Sequence, residues 1–96
     1  MKVEQTESFA RWLDGLRDRR AQTIIAARIT RLAAGHLGDA KALGGRLMEL
    51  RIAFGPGYRL YFCLRDGQVV ILLGGRDTDS QARDIAKARS ILEQLG

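Results

Sequence analysis

From Leu47 the chain reads Leu47-Met48-Glu49-Leu50-Arg51-Ile52-Ala53-Phe54-Gly55-Pro56-Gly57-Tyr58-Arg59-Leu60-Tyr61-Phe62-Cys63-Leu64-Arg65-Asp66-Gly67, and its side chains alternate with a period of two. Successive strand residues point to opposite faces of a sheet, so Met48, Leu50, Ile52 and Phe54 share one face while Leu47, Glu49 and Arg51 share the other. Gly55-Pro56-Gly57 makes a turn. Tyr58, Leu60, Phe62 and Leu64 then fall on one face of a second strand, opposite Arg59, Tyr61, Cys63 and Arg65. Asp66-Gly67 is a hairpin signal. Val69 to Leu73 is apolar throughout, as a central strand covered on both faces would be, and Gly74-Gly75 is expected to end it. Three strands therefore meander.

Upstream the period is helical. Thr6 can cap a helix running to about Asp18, with Phe9, Trp12, Leu13 and Leu16 on one side and Arg11, Asp14 and Arg17 on the other. A second helix starts near Asp18 and runs through Ala21, Ile24, Ile25, Ile29 and Leu32 to Gly35. His36 to Gly45 carries three glycines and reads as a connecting loop, and Lys2 to Gln5 offers a short strand. Downstream, Ala82, Ile85, Ala86, Arg89 and Leu92 place a third helix from Thr78 or Asp79 onward. The expected architecture is α+β, with the helical hairpin on one sheet face and the other face left open.

With 96 residues, 46% apolar and 28% charged, the chain is long enough for one domain over 1–96 and too short for two. A single cysteine, Cys63, excludes an intramolecular disulfide and fits a reducing compartment. The first residues lack the apolar run of a signal peptide, and no stretch approaches the roughly 20 apolar residues that cross a bilayer. A cytoplasmic protein with no membrane partner is the expectation. Net charge is +5, and 13 of the 16 basic residues are arginine. Guanidinium binds phosphate as a planar fork, which points to nucleic acid, a ribosome or an acidic partner. A GC-rich genome would also favour arginine over lysine, but it does not explain the net positive charge.

On the face left open, Glu49, Arg51, Arg59 and Tyr61 project together. A carboxylate, two guanidiniums and a phenol suit phosphodiester cleavage, with a base taking the 2′-hydroxyl proton and cations stabilising the phosphorane. The same set also fits cross-strand ion pairs on a solvated sheet. His36 reads as a loop residue, and Cys63 as a small buried or half-buried hydrophobe with no histidine to activate it. Gly55-Pro56-Gly57 lacks the lysine and following helix of a P-loop. No metal cluster or nucleotide motif is visible, and no cofactor is expected.

Taken together, Glu49-Leu50-Arg51, the run Phe54 to Phe62, Leu72-Leu73-Gly74-Gly75 and Gln81 to Ile85 resemble the RelE/ParE toxin superfamily, in particular its HigB-like, phage-derived branch of addiction-module killer proteins. The likeness extends over the whole chain, including the Trp-Leu-x-x-Leu core of the first helix. It implies the order β-α-α-β-β-β-α, with the helical hairpin on a small antiparallel sheet. It also implies a type II toxin that enters the ribosomal decoding site, cuts mRNA and is silenced by an antitoxin. That partner is usually a small helix-turn-helix protein, through which alone operator DNA is reached. Arg59 stands where ribonuclease relatives hold the scissile phosphate. Glu49 is then a base on the 2′-hydroxyl, Arg51, Arg59 and Arg76 are phosphate ligands, and Tyr61 positions or stacks. Arg65 and Arg83 are candidates for RNA or antitoxin contact.

Two departures stand out. Arg76-Asp77 follows the last strand where relatives carry a second basic residue, and Arg83 stands near a position where some have a catalytic tyrosine. Arginine is a poor proton donor, so no general acid is evident. A ParE-like inhibitor of DNA gyrase, and a decayed toxin that only binds its antitoxin, are the rival expectations.

Overall fold

The computed structural model describes residues 1–95. The elements are β1 (Lys2–Gln5), α1 (Glu7–Asp14), α2 (Arg19–Ala33), β2 (Ala40–Gly44), β3 (Leu47–Ile52), β4 (Tyr58–Arg65), β5 (Gln68–Gly75) and α3 (Gln81–Leu95). One five-stranded sheet has the order β1-β5-β4-β3-β2. Strands β2 to β5 form an antiparallel meander, and β1 pairs in parallel with β5. The sheet is thus mixed, where the sequence implies an antiparallel one. It also holds one strand more than the β-α-α-β-β-β-α order allows.

That strand is β2, which lies in the stretch that reads as a loop. Its apolar content is too weak to show a pattern, because it is an edge strand with Lys41 and Ala42 exposed. Ladder bonds to β3, not side-chain burial, define it, and they are interrupted by an irregularity between Ala42 and Gly44. The turn into β3 uses Gly44 and Gly45 at φ 107° and 59°, a region open to glycine without steric cost. The Asp66-Gly67 hairpin turn forms as the sequence implies, with both residues at positive φ.

Thr6 caps α1, its hydroxyl accepting from the Phe9 amide at 3.2 Å. The helix stops at Asp14, four residues short of the expected end, and Gly15 closes it with its amide on the Arg11 carbonyl at 3.0 Å. Asp18 caps α2 through bonds from the amides of Arg20 and Ala21. Gln22 reaches back from α2 to the Leu13 and Leu16 carbonyls, fixing the bend of the hairpin.

The hairpin packs on the sheet face that carries Leu50, Ile52, Tyr58, Leu60, Phe62, Val69 and Ile71, with Phe9, Ile25 and Leu32 fully buried against them. Trp12 stacks obliquely on Phe9 and edge-on to Tyr58, with ring centroids 5.7 and 6.2 Å away. It also lies directly over Gly74. Gly74 and Gly75 do not end β5 but belong to it, because an absent Cβ lets a large group settle on the strand.

The other sheet face is not open. Helix α3 covers it, with Ala88 buried and Ile85, Ile91, Leu92 and Leu95 packed on Leu47, Tyr61, Cys63, Val70, Leu72 and Leu73. The alternation of β3 and β4 has the parity that the sequence implies, but each face has its own helical cover. Among the described residues no helix is long and apolar enough to cross a membrane.

Candidate phosphate-binding site

Two rows of the sheet ladder build the site. In the first, Glu49 of β3 lies directly opposite Tyr61 of β4. In the second, Arg51 lies opposite Arg59, and Arg59 opposite Gly75 of β5. The four residues of the sequence constellation therefore do occupy adjacent positions on one face. What differs from expectation is their exposure: Glu49 and Tyr61 are both 0% exposed, shut beneath the start of α3, while Arg51 is exposed and Arg59 half-buried.

Burying a carboxylate requires partners, and Glu49 has two. Arg51 Nε donates to its Oε1 at 3.0 Å, and Gln81 Nε2 donates to its Oε2 at 3.1 Å. The Arg51 guanidinium, 49% exposed on its outer side, is held above its usual pKa, first by this hydrogen bond and then by the charges of Glu49 and Asp39. Arg59 is fixed differently, with Nη1 donating to the Asp77 carbonyl at 2.8 Å. Each guanidinium thus keeps N–H groups free on the side away from its anchor. Both border a depression of ≈ 200 Å³ at the end of the sheet, with Asp39 at its rim.

Beside them is a pocket of polar groups in the protein interior. The Tyr61 hydroxyl is buried without a hydrogen-bond partner among the described residues. Its pKa is pushed up to about 12 by burial and by the nearby charges of Glu49 and Asp84. Asp84 lies over Gly75, where a Cβ would run into its carboxylate and come within 3.7 Å of the Tyr61 ring. Ser80 Oγ donates to Asp84 Oδ2 at 3.1 Å, and the Ser80 amide donates to Asp77 Oδ1 at 3.0 Å. These bonds to Ser80 draw the Asp77 carboxyl below its ordinary range.

The remaining named residues divide by distance. Arg76 is exposed directly after β5 and adds its charge beside Asp77. Arg83 is exposed on the first turn of α3. Arg65 is not gathered with them: it sits six residues along β4 from Arg59, roughly 20 Å away, and donates to the Leu95 carbonyl at 2.9 Å. His36 is exposed beyond α2, and Cys63 is buried, with its thiol pKa raised by that burial.

Sequence reasoning missed Gln81, Asp84, Asp77 and Asp39. Gln81 and Asp84 did carry a signal, since both stand on the face that continues to Ile85 and Ala88 at three- and four-residue spacing. Asp39 and Asp77 lie outside periodic segments and carried none.

No protein-family model matches the chain. It is 41% identical over 96 residues to an uncharacterized protein of Haemophilus influenzae, with the whole chain and 97% of that protein covered. Among solved structures it is similar to the solution structure of a conserved hypothetical protein from Helicobacter pylori. That match has 22% identity and a TM-score of 0.49, and covers 78% of this chain and 92% of the other.

Proposed function

Since the chain belongs to the same family as the Haemophilus influenzae protein, we propose a role that would extend to both: a toxin of the RelE/ParE kind, nearest its HigB-like branch, that cuts mRNA on the ribosome and is silenced by an antitoxin. The observation that carries this reading is the pairing of Arg51 and Arg59 directly across two strands. Like charges placed opposite each other repel, and a phosphodiester seated on their free N–H edges would relieve that repulsion with charge-assisted bonds. Arg76 supplies a third cation at the same end of the sheet.

In the reaction this arrangement suits, the ribose 2′-oxygen attacks phosphorus as the P–O5′ bond breaks, leaving a 2′,3′-cyclic phosphate and a 5′-hydroxyl. Arg51, Arg59 and Arg76 stabilise the charge on the phosphorane. Glu49 receives the 2′-hydroxyl proton only once Gln81 releases Oε2. Until then it holds Arg51 in place. The 5′-oxygen takes its proton from water, because a phenol with a pKa near 12 in a closed pocket is a poor donor to it. Tyr61 forms the floor under Glu49, and Arg83 and Arg65 contribute to RNA or antitoxin contact.

A second reading draws on the same enclosure. With both Glu49 oxygens occupied and Tyr61 sealed, neither of these two groups is free to move a proton, which favours an inhibitor that binds DNA gyrase or a toxin that retains only antitoxin binding. Primer extension on a reporter mRNA in a purified translation system, with wild type, Arg59→Ala and Glu49→Ala, separates these readings. Ribosome-dependent cuts that vanish in Arg59→Ala are expected. Intact mRNA with the wild type would overturn the nuclease reading in favour of the second.

A further inference from the structure

On the sheet face opposite the candidate site, α2 presents a charge pattern of its own. It carries Arg19, Arg20, Arg28 and Arg31 and no acidic residue. Among the described residues the ion pairs are Glu7–Arg11 and Glu49–Arg51, so none of these four is neutralised by one. The nearest acidic residues in sequence are Asp14 and Asp18 before the helix and Asp39 after it, and the Asp18 carboxylate is already engaged with the first amides of the helix.

The arginines are placed at the two ends of the exposed stripe. Eleven residues separate Arg20 from Arg31, which at about 100° and 1.5 Å per residue returns them to within about 20° of the same face, roughly 16 Å apart along the axis. Between them the exposed positions are Thr23, Ala26, Ala27 and Thr30, side chains too short to keep a bulky surface away. At the N-terminal end the Arg20 guanidinium is laid over the Phe54 ring, 5.8 Å from its centroid, beside a depression of ≈ 330 Å³ lined by Arg19, Arg20, Thr23 and Ile24.

The two threonines add a chemical constraint. Thr23 Oγ1 donates to the Arg19 carbonyl and Thr30 Oγ1 to the Ala26 carbonyl, each at 3.1 Å. With their protons spent inside the helix, both hydroxyls face solvent as acceptors. A surface that fits them carries outward hydrogen-bond donors between two rows of negative charge. The wide, shallow minor groove of an A-form RNA helix has this character, since its 2′-hydroxyls can donate and phosphates flank it on both sides. The B-DNA minor groove is narrow and, at A·T pairs, shows only acceptors.

We propose that the exposed face of α2 is an interface for double-helical RNA, with Arg19, Arg20 and Arg31 on the phosphates of the two strands and Thr23 and Thr30 accepting from 2′-hydroxyls across the minor groove. It recognises shape, because the arginines are engaged with phosphates and the exposed side chains between them, Thr23, Ala26, Ala27 and Thr30, are too short to read a base edge. This inference stands apart from the nuclease reading, since the face is on the other side of the sheet from Arg51 and Arg59.

The test is fluorescence anisotropy with a labelled 20-base-pair RNA hairpin and a DNA duplex of the same sequence, over a series of salt concentrations. Arg20→Glu/Arg31→Glu is expected to weaken RNA binding at least tenfold and to reduce the slope of log K against log salt by about 2, one for each phosphate that the variant no longer neutralises. Thr23→Val/Thr30→Val should reduce the preference for RNA over DNA, with the DNA affinity unchanged. Lys41→Ala/Lys87→Ala, which removes two exposed charges outside α2, should bind the hairpin as the wild type does, whether or not the protein cuts mRNA. Circular dichroism melting of each variant checks that the fold is kept. Unchanged RNA affinity in Arg20→Glu/Arg31→Glu overturns the proposal, as does equal wild-type affinity for RNA and DNA. Poly-L-glutamate of matched charge displacing the hairpin as well as unlabelled RNA would also overturn it, and would make α2 a surface for an acidic protein.

Discussion

The two faces of the sheet are covered by helices in different ways. Under the α1/α2 hairpin the contact is apolar and dry: Phe9, Ile25, Leu32, Leu60, Phe62 and Ile71 interlock with no charged group among them. Under α3 the apolar contact is real but is threaded with polar groups. Glu49, the Tyr61 hydroxyl and Cys63 are all buried there, and α3 is secured by side chains donating across the junction. Arg89 bonds the Leu43 and Gly44 carbonyls, Arg65 the Leu95 carbonyl, and Gln81 the Glu49 carboxylate. One face specifies the fold through volume and shape. On the other, apolar packing is combined with buried polar groups that need partners across the junction with α3.

The largest effect should come from the dry face. Phe9→Ala removes a fully buried ring, and a loss of about 3–5 kcal/mol in urea unfolding is expected. A loss under about 1 kcal/mol would mean that the hairpin is not the principal core. Next come the glycines that each face uses as a seat. Gly74→Ala drives a methyl group into Trp12, and Gly75→Ala drives one into the Asp84 carboxylate. Each should cost about 1–3 kcal/mol. If Gly75→Ala proves the milder, the α3 junction yields where the aromatic seat does not.

Tyr61→Phe should be smaller and of opposite sign, because it deletes a buried hydroxyl that has no partner among the described residues. Stability equal to or up to about 1 kcal/mol above wild type is expected at neutral pH. The same variant isolates a pH effect. Tyr61 has a folded pKa near 12 against an ordinary 10.0, so its neutral form is favoured by folding. That contribution is complete below pH 10 and is lost as pH rises toward 12, on the order of 1 kcal/mol per pH unit. Urea midpoints at pH 9 and pH 11 should fall further for wild type than for Tyr61→Phe, and parallel slopes would disprove the enclosure of the phenol. The smallest effect belongs to the exposed lead-in to α3. The Asp77 carboxyl is depressed from 3.8 by Ser80, so its contribution is present above that pH and is lost as pH falls below it. Asp77→Asn should flatten the acid limb of the stability profile slightly, as thermal melts from pH 5 to pH 2.5 would record.

What was legible in the sequence follows the same division. Period-two alternation in 47–65 placed Glu49, Arg51, Arg59 and Tyr61 on one face because strand parity is fixed by backbone geometry. The helix cap at Thr6 was legible because capping is local, and the start of the second helix near Asp18 was legible from its helical period. The cover over that face was not, since α3 has enough apolar residues to form a helix but nothing in its pattern says on which side of the sheet it lands. Strand β2 was hidden for a related reason, as an edge strand with little to bury leaves no periodic trace. Gly74 and Gly75 misled as punctuation because their role, making room for Trp12 and Asp84, is set by residues far away in sequence.

The parallel pairing of β1 with β5 brings residues 2–5 beside residues 68–71, and Thr6 binds the Ile71 and Leu72 carbonyls. About 65 residues of chain must therefore be made between one half of this ladder and the other. At the roughly 5–20 residues per second of protein synthesis, the first strand waits several seconds for its partner. Until then β5, which joins β1 to the meander, does not exist, and both helical covers lack part of the surface they close on. The molecule comes into being late and all at once, and a nascent chain of this protein carries its arginines but not the surface that would aim them.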